Sequence, residues 1–333
     1  MRRKASLILL AFAVFFAALS PLLRFYAFPR LAKVPANQYQ VMVLEAKGAT
    51  IMDASMQVKK TDLSIVQTLR GNVEESEKIE ESAGRDVVVW DGLSYAQDSD
   101  GKMVTRIPER YIFDAHSSEP VHATGEMADA KPVKREGLEF KWPFLTEKRD
   151  YEYFDARSRT TNPILYKGEQ NFRGVDVYYF EQTIPWQKVD YPSTLPVPNM
   201  NPKTLEKQTG TEMWYTTVRK FWVEPTTGAP VYGEEIHKEE MRGGSLTEAA
   251  GGKMTVFDGH VKMREDFIKS TVDLVKSQRV LVLLMTSYLP WGFLILGVLL
   301  LALSLWLEAR SRRPGDDPES TDDREPEPAP AGV

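Results

Sequence analysis

Two long stretches without a charged residue bracket this chain, and they constrain its fold more than anything between them. Ala5 to Leu23 is nineteen residues, preceded by Met1-Arg2-Arg3-Lys4. As a helix it covers ~28 Å, about the hydrocarbon thickness of a bilayer. Val280 to Leu307 is twenty-eight residues. As a straight helix that is ~42 Å, more than one crossing needs. Pro290 divides this second run, with Tyr288 and Trp291 beside the break and Trp306 at the far end. These aromatics fall where interfacial belts form, which predicts a crossing from about Leu289 to Leu307.

The first run also has the form of a cleaved secretory signal, and Ala17, Ala18 and Ser20 suit a signal peptidase. Its length, continuing through Pro21-Leu22-Leu23, exceeds a signal's apolar region and favours an uncleaved anchor. The chain has no cysteine. That excludes a lipoprotein anchor, a disulfide framework, thiolate metal sites and a Cys nucleophile.

Flanking Lys and Arg set the expected orientation. Arg2, Arg3 and Lys4 precede the first span, and Arg310, Arg312 and Arg313 follow the second. Both clusters favour the cytoplasmic side. Arg24, Arg30, Lys33, Lys276 and Arg279 lie on the other side of the spans. The segment from 24 to 279 is long, however, and long domains translocate largely regardless of charge. The expected division is a cytoplasmic start over 1–4, a transmembrane helix over 5–23 and an extracytoplasmic β-rich domain over 24–260. A juxtamembrane helix over 261–279, a second transmembrane helix over 280–307 and a tail over 308–333 follow. The tail is acidic and rich in Pro, with no periodic apolar positions, and is expected to be disordered and cytoplasmic.

Between the spans the pattern is that of strands. Tyr39–Leu44, Asp62–Arg70, Asp86–Trp90, Gly174–Phe180, Met213–Val223 and Met254–Phe257 are short runs rich in β-branched and aromatic residues. Asp91-Gly92 and Asp98-Ser-Asp-Gly101 are turn-type sequences. The expected fold is a mainly β domain, an antiparallel curved sheet or partial barrel, flanked by two transmembrane helices. A faint internal echo supports a meander. Phe113-Asp114 followed by Pro120-Val121 lines up with Val223-Glu224 followed by Pro230-Val231, and Phe154-Asp155-Ala-Arg-Ser158 begins a third copy. In each, the acid can accept backbone N–H bonds at a corner. Trp186 to Pro202 carries Pro192, Pro196, Pro198 and Pro202 and is expected to be an extended loop. The glycine-rich stretch from Met241 to Lys253 is expected to be a flexible hairpin tip.

The net charge of −5 speaks against a nucleic-acid binder. None of H-E-x-x-H, G-x-S-x-G or a Walker A loop occurs. His116 and His122 near Asp114 and Glu119 match no established ligand spacing. Glu234-Glu235-Ile-His237-Lys-Glu239-Glu240 is expected to be a solvated strand end. No catalytic, cofactor or metal site is therefore expected. The dense aromatics, Trp142-Pro-Phe144, Tyr151-Glu-Tyr-Phe154, Tyr178-Tyr-Phe180, Trp214-Tyr215 and Phe221-Trp222, suit cross-strand pairs. They also suit the walls of a lipid-holding half barrel.

The chain resembles a family of actinobacterial two-pass membrane proteins of largely unknown function, the porin PorA family. The residues that carry the resemblance are the Arg-rich start with its span, Val89-Trp90-Asp91-Gly92, Phe113-Asp114 with Pro120-Val121, and Tyr153-Phe154-Asp155. Gly168-Glu169 with Gly174-Val175 and Tyr178, then Trp222-Val223-Glu224-Pro225 with Thr227-Gly228 and Pro230-Val231, and the final span complete it. The first turn departs from the family pattern, having Ala115 and Ser117-Ser118 where the family has a basic residue and Thr-Gly. The Trp222-to-Val231 turn is also similar to one in LolA-type lipid-binding half barrels. A monomeric porin needs a closed barrel whose strands face lipid, whereas this chain carries two apolar helices. The favoured expectation is an anchored extracytoplasmic binding domain of the cell envelope. Its partners would be cytoplasmic-membrane lipids and a bound lipid or envelope protein. A channel formed by oligomerisation, which the family name implies, comes second, and a hydrolase without a familiar motif third.

Overall fold

The computed structural model describes residues 2–193 and 201–311. The described residues divide into two compact units, one gathering those up to Tyr26 with those from Thr286 onward and the other Ala27–Met285. The helices are α1 (Arg2–Leu22), α2 (Phe28–Leu31), α3 (Val73–Ala83), α4 (Pro202–Thr209), α5 (Gly244–Thr247), α6 (Glu265–Leu283) and α7 (Leu289–Ser311). The strands are β1 (Tyr39–Met52), β2 (Val58–Gly71), β3 (Val87–Asp98), β4 (Met103–Asp114), β5 (Met127–Ala128) and β6 (Lys131–Pro132). They continue with β7 (Tyr151–Asp155), β8 (Thr160–Phe172), β9 (Val175–Val189), β10 (Glu212–Glu224), β11 (Ala229–Arg242) and β12 (Lys253–Met263).

All twelve strands form one antiparallel sheet in the order β6-β5-β4-β3-β2-β1-β12-β11-β10-β9-β8-β7. Each half of the chain is a meander, and the halves join where β1 pairs with β12, Leu44 opposite Met263. The sheet is open, with β6 and β7 at its edges. An exposed edge invites pairing with another chain. Here Leu138 covers β7, donating its N–H to the Glu152 carbonyl and accepting from Phe154 N–H, both at 2.8 Å. From that edge the backbone crosses to the β10–β11 turn, where Trp142 N–H donates to Gly228 O at 2.8 Å and Thr146 N–H to Pro225 O at 2.7 Å. Gly228 tolerates this crossing because a Cβ there would stand 2.1 Å from the Trp142 carbonyl oxygen.

The strap delivers Trp142, which is 0% exposed, onto one face of the sheet. Phe180, Phe221 and Tyr153 ring it at centroid distances of 5.1, 5.3 and 5.6 Å. An aromatic side chain so enclosed contributes about 3–5 kcal/mol against truncation to Ala. This is the inner face. On the outer face α6 packs Ile268, Val272 and Val275 against Val175, Val177 and Val231.

The echo in the sequence is a repeated turn. Asp114 accepts from His116 N–H and Ser117 N–H, Asp155 from Ser158 N–H, and Glu224 from Thr226 and Thr227 N–H, all at 2.6–3.1 Å. In each copy the N–H four residues on closes onto the acid's own carbonyl. That residue has positive φ: Ser118 at 63°, Arg159 at 58° and Gly228 at 71°.

Four local expectations change. Asp91-Gly92 is no turn but lies inside β3. Asp91 is held by Arg110 across the strand pair, and a Cβ on Gly92 would meet the Tyr111 ring at 2.7 Å. Glycine here makes room for an aromatic neighbour rather than a bend. Trp186 to Val189 completes β9 instead of opening a loop, while Pro196 and Pro198 lie outside the described residues. The stretch from Met241 to Lys253 folds into α5 and a 3-10 turn, Glu248–Ala250. The helix expected from 261 begins at Glu265, because Val261 and Lys262 are still paired with Glu235 and Glu234.

Candidate functional site

Two constructions in the described residues bury polar groups on purpose-built partners. The first is the pair α1 and α7, whose apolar windows have mean hydropathy of 2.4 and 2.2. Ser6 and Ser304 exchange hydroxyl-to-carbonyl bonds at 3.1 and 2.8 Å. At the other end Ser20 donates to the Pro290 carbonyl at 2.7 Å. The helices are therefore antiparallel. Between these bonds Gly297 lies so close to α1 that a Cβ would stand 3.1 Å from the Ala13 carbonyl oxygen. Small residues with hydroxyl cross-links are how helices associate in lipid, where apolar packing alone gives little preference.

The expected interface residues fall at the ends of this pair. Tyr288 and Trp291 are 61% and 60% exposed, near the end where Arg24 donates to Thr286 O at 2.6 Å. Trp306, 50% exposed, lies at the opposite end with the Arg310 guanidinium 4.3 Å from its ring. Arg2, Arg3 and Lys4 open α1 at that same end, since Ser6 meets Ser304 there. Arg312, Arg313 and the acidic tail lie outside the described residues.

The second construction is a chain of charges on the inner face of the sheet, which the sequence reading did not foresee. Strand alternation splits the acidic run of β11: Glu235, His237 and Glu239 face inward, while Glu234, Lys238 and Glu240 face outward. Arg157 grips Glu239 through two bonds of 2.7 and 2.9 Å. Glu239 meets His237 Nε2 at 2.9 Å, and His237 Nδ1 meets Glu235 at 3.1 Å. Glu235 lies 3.2 Å from Arg219, whose guanidinium also reaches Asp155 at 2.9 Å and Gln182 at 3.2 Å. Tyr215 also donates to Asp155 at 2.9 Å. Asp155 thus serves two systems, one carboxylate oxygen closing the repeated turn and the other ending the ion chain.

With both ring nitrogens facing carboxylates, His237 is an imidazolium donating twice. Burial alone would push its pKa down, but the bonds to Glu235 and Glu239 outweigh burial and raise it to about 9. Burial works against Glu235 and Glu239 too, yet Arg219 holds the first and Arg157 the second below the usual carboxylate range. Arg157, Arg219 and His237 balance Asp155, Glu235 and Glu239. A neighbouring cluster is less balanced. Arg135 bonds Glu139 at 2.5 Å and lies 3.6 Å from both Glu109 and Glu126. There burial dominates, and the Glu139 pKa rises to about 8.

His116 is engaged elsewhere, between Asp86 and the Ala32 carbonyl, and Asp114 caps its turn. Among the described residues no group of three or more His, Asp or Glu is arranged to hold a metal.

The profile of the Porin PorA family matches residues 5–306, which takes in both apolar helices and the whole sheet. A protein named Porin PorA from Corynebacterium amycolatum is 23% identical over 237 residues, covering 60% of this chain and 61% of that protein. One of the same name from Corynebacterium resistens is 42% identical over 53 residues, 16% of this chain and 13% of that protein. The chain thus spans about three fifths of the first relative's length and a smaller share of the second. On the extent of the profile match, this chain belongs to the Porin PorA family.

Proposed function

We propose that the chain is a channel-forming protein of the cell envelope, anchored by its helix pair and conducting as an oligomer. This reverses the preference drawn from the sequence, which ranked a binding domain first. The observation that carries the reading is the family match over residues 5–306. Oligomerisation follows from packing. The α1–α7 pair touches closely at Gly297 and Ala13 and leaves no lumen between its two helices. The outer side of the sheet carries Lys238, Glu240 and Asp258 in mid-strand, whereas lipid-facing barrel strands are apolar there. A water-filled path then needs several copies. Both helix-pair ends bearing Arg2–Lys4 and Arg310 face the cytoplasm in this reading, with the sheet domain outside.

The test is conductance of the purified full chain in planar bilayers. Stepwise currents that grow with salt concentration are expected. Inserted protein that gives no steps at any protein-to-lipid ratio overturns the reading. Topology is checked separately by single cysteines placed at Ser99 and Ser320, which the cysteine-free background makes clean; only Ser99 should label from outside intact cells.

A second reading, an anchored binding domain, is favoured by one observation: a hollow of about 450 Å³ on the outer face of β9–β12. That volume lies within the ~300–1,000 Å³ range of ligand sites.

A further inference from the structure

We propose that the hollow on the outer face of β9–β12 is a binding site for a neutral glycan chain. The inference deepens the binding reading and does not depend on whether the chain conducts. It starts from the shape of the site, about 450 Å³ open to solvent on a part of the sheet that α6 leaves uncovered.

One end of the hollow is a prebuilt aromatic platform. The bulge in β9 opposite Tyr215 and Thr217 turns Trp186 outward. The Arg242 guanidinium lies 4.3 Å from the Trp186 ring and 4.8 Å from the Trp214 ring, so it is held between two indoles. Glu240 fixes Arg242 at 2.8 Å, and Glu212 fixes the Trp214 N–H at 3.0 Å. Both rings are therefore oriented before any ligand arrives. Such preorganisation lowers the ordering cost of binding.

The floor decides the charge of the occupant. Lys238 pairs with Asp258 at 3.1 Å, and Lys253 pairs with Glu240 at 2.6 Å. Every cation in the hollow already has a carboxylate, so a phosphate or carboxylate ligand would meet acids at each point of attachment. A lipid tail would have to strip water from these ion pairs, which costs more than their attraction returns unless they stay fully hydrogen-bonded. A sugar ring meets neither obstacle. Its C–H face lies on an indole, and its hydroxyls both donate to carboxylates and accept from ammonium groups. Thr216 donates to the Ile184 carbonyl at 2.7 Å and keeps its lone pairs for a sugar hydroxyl. Thr255 adds a second hydroxyl across the hollow.

The experiment is isothermal titration of the full chain in detergent with four linear hexasaccharides: cellohexaose, maltohexaose, chitohexaose and arabinohexaose. At least one is expected to bind at millimolar or lower concentration. Trp186→Ala is expected to weaken it about tenfold through loss of the platform. Thr255→Val, which keeps side-chain shape, is expected to weaken it by a smaller factor and guards against a Trp186 variant that fails to fold. Three results overturn the proposal: no binding by any of the four sugars, binding unchanged in both variants, or binding of an oligoproline peptide at these residues in place of the sugars. None of these results bears on the bilayer currents, so the glycan site and the channel stand or fall separately.

Discussion

Strand β11 presents nearly the same chemistry to the two faces of the sheet, and the faces treat it oppositely. Inward, Glu235, His237 and Glu239 are enclosed and joined into a chain with Arg157, Arg219 and Asp155. Outward, Lys238 pairs with Asp258 in a hollow open to water, while Glu240, as buried as Glu239, is held by Lys253 and Arg242. The difference lies in what covers each face. The strap through Leu138 and Trp142 closes the inner one, so each charge there needs a fixed partner. Outside, water reaches Lys238, Asp258 and Lys253, so their pairing leaves them free to exchange partners. A buried ion network holds a sheet together only while complete; an exposed one adds little to stability.

The largest effect expected from breaking this contrast is at Arg219. Arg219→Met leaves Asp155 enclosed without a cation and Glu235 with His237 alone, which costs about 3–5 kcal/mol. Thermal unfolding of the full chain in detergent checks it. Replacing Asp155, Arg219 and Glu235 together by apolar residues of similar size should recover only part of that loss, because His237 then keeps one carboxylate of its two and the turn at Ser158 loses its acceptor. A loss below about 1 kcal/mol in the single variant would mean that water reaches the inner face after all.

A pH scan sharpens the same contrast. The His237 pKa is raised from 6.5 to about 9, so its contribution is complete below 6.5 and lost as pH climbs through 9. Glu139, raised from 4.5 to about 8 by burial, loses its contribution in the same upward direction. Glu235 and Glu239 are lowered from 4.5, so theirs is present above that value and lost as pH falls. Stability should therefore peak near 4.5, decline as Glu139 loses its contribution above that value, and decline more steeply once His237 joins it between 6.5 and 9. His237→Gln should flatten the upper part of that decline, measured as melting temperature against pH. An unchanged slope would show that His237 is neutral and that one of its carboxylates carries the proton.

How much of this was legible in the sequence depended on how local the signal was. The two apolar helices were readable because composition over nineteen or more residues decides them. The repeated turn was readable because acid, hydroxyl and positive-φ residue lie within five positions. Asp91-Gly92 misled because the same dipeptide that bends a hairpin also opens space beside Tyr111, and only the neighbouring strand distinguishes the two. The ion chain was half legible. Treating β11 as a strand is enough to put Glu235, His237 and Glu239 on one face. Arg219 stands opposite Glu235 across the β10–β11 hairpin, but Arg157 comes from the β7–β8 turn, and its approach to Glu239 joins distant strands in a way no single sequence displays. The hollow was hidden for the same reason, since a bulge in β9 turns Trp186 toward it.

The smallest expected effect is on the outer face, and it carries the contrast to its other limit. Lys238→Met removes a cation whose side chain is 43% exposed and whose partner Asp258 is 46% exposed. Water replaces the lost partner, so the change in stability should stay within about 1 kcal/mol of zero and shrink further in high salt. The same substitution should still alter the hollow, because Asp258 then faces a ligand without its ammonium neighbour. Near-wild-type melting together with changed titration of the hexasaccharides would separate a recognition surface from a structural one. A stability loss as large as that of Arg219→Met would instead mean that the outer pairs are enclosed, and the two faces of β11 would no longer differ in kind.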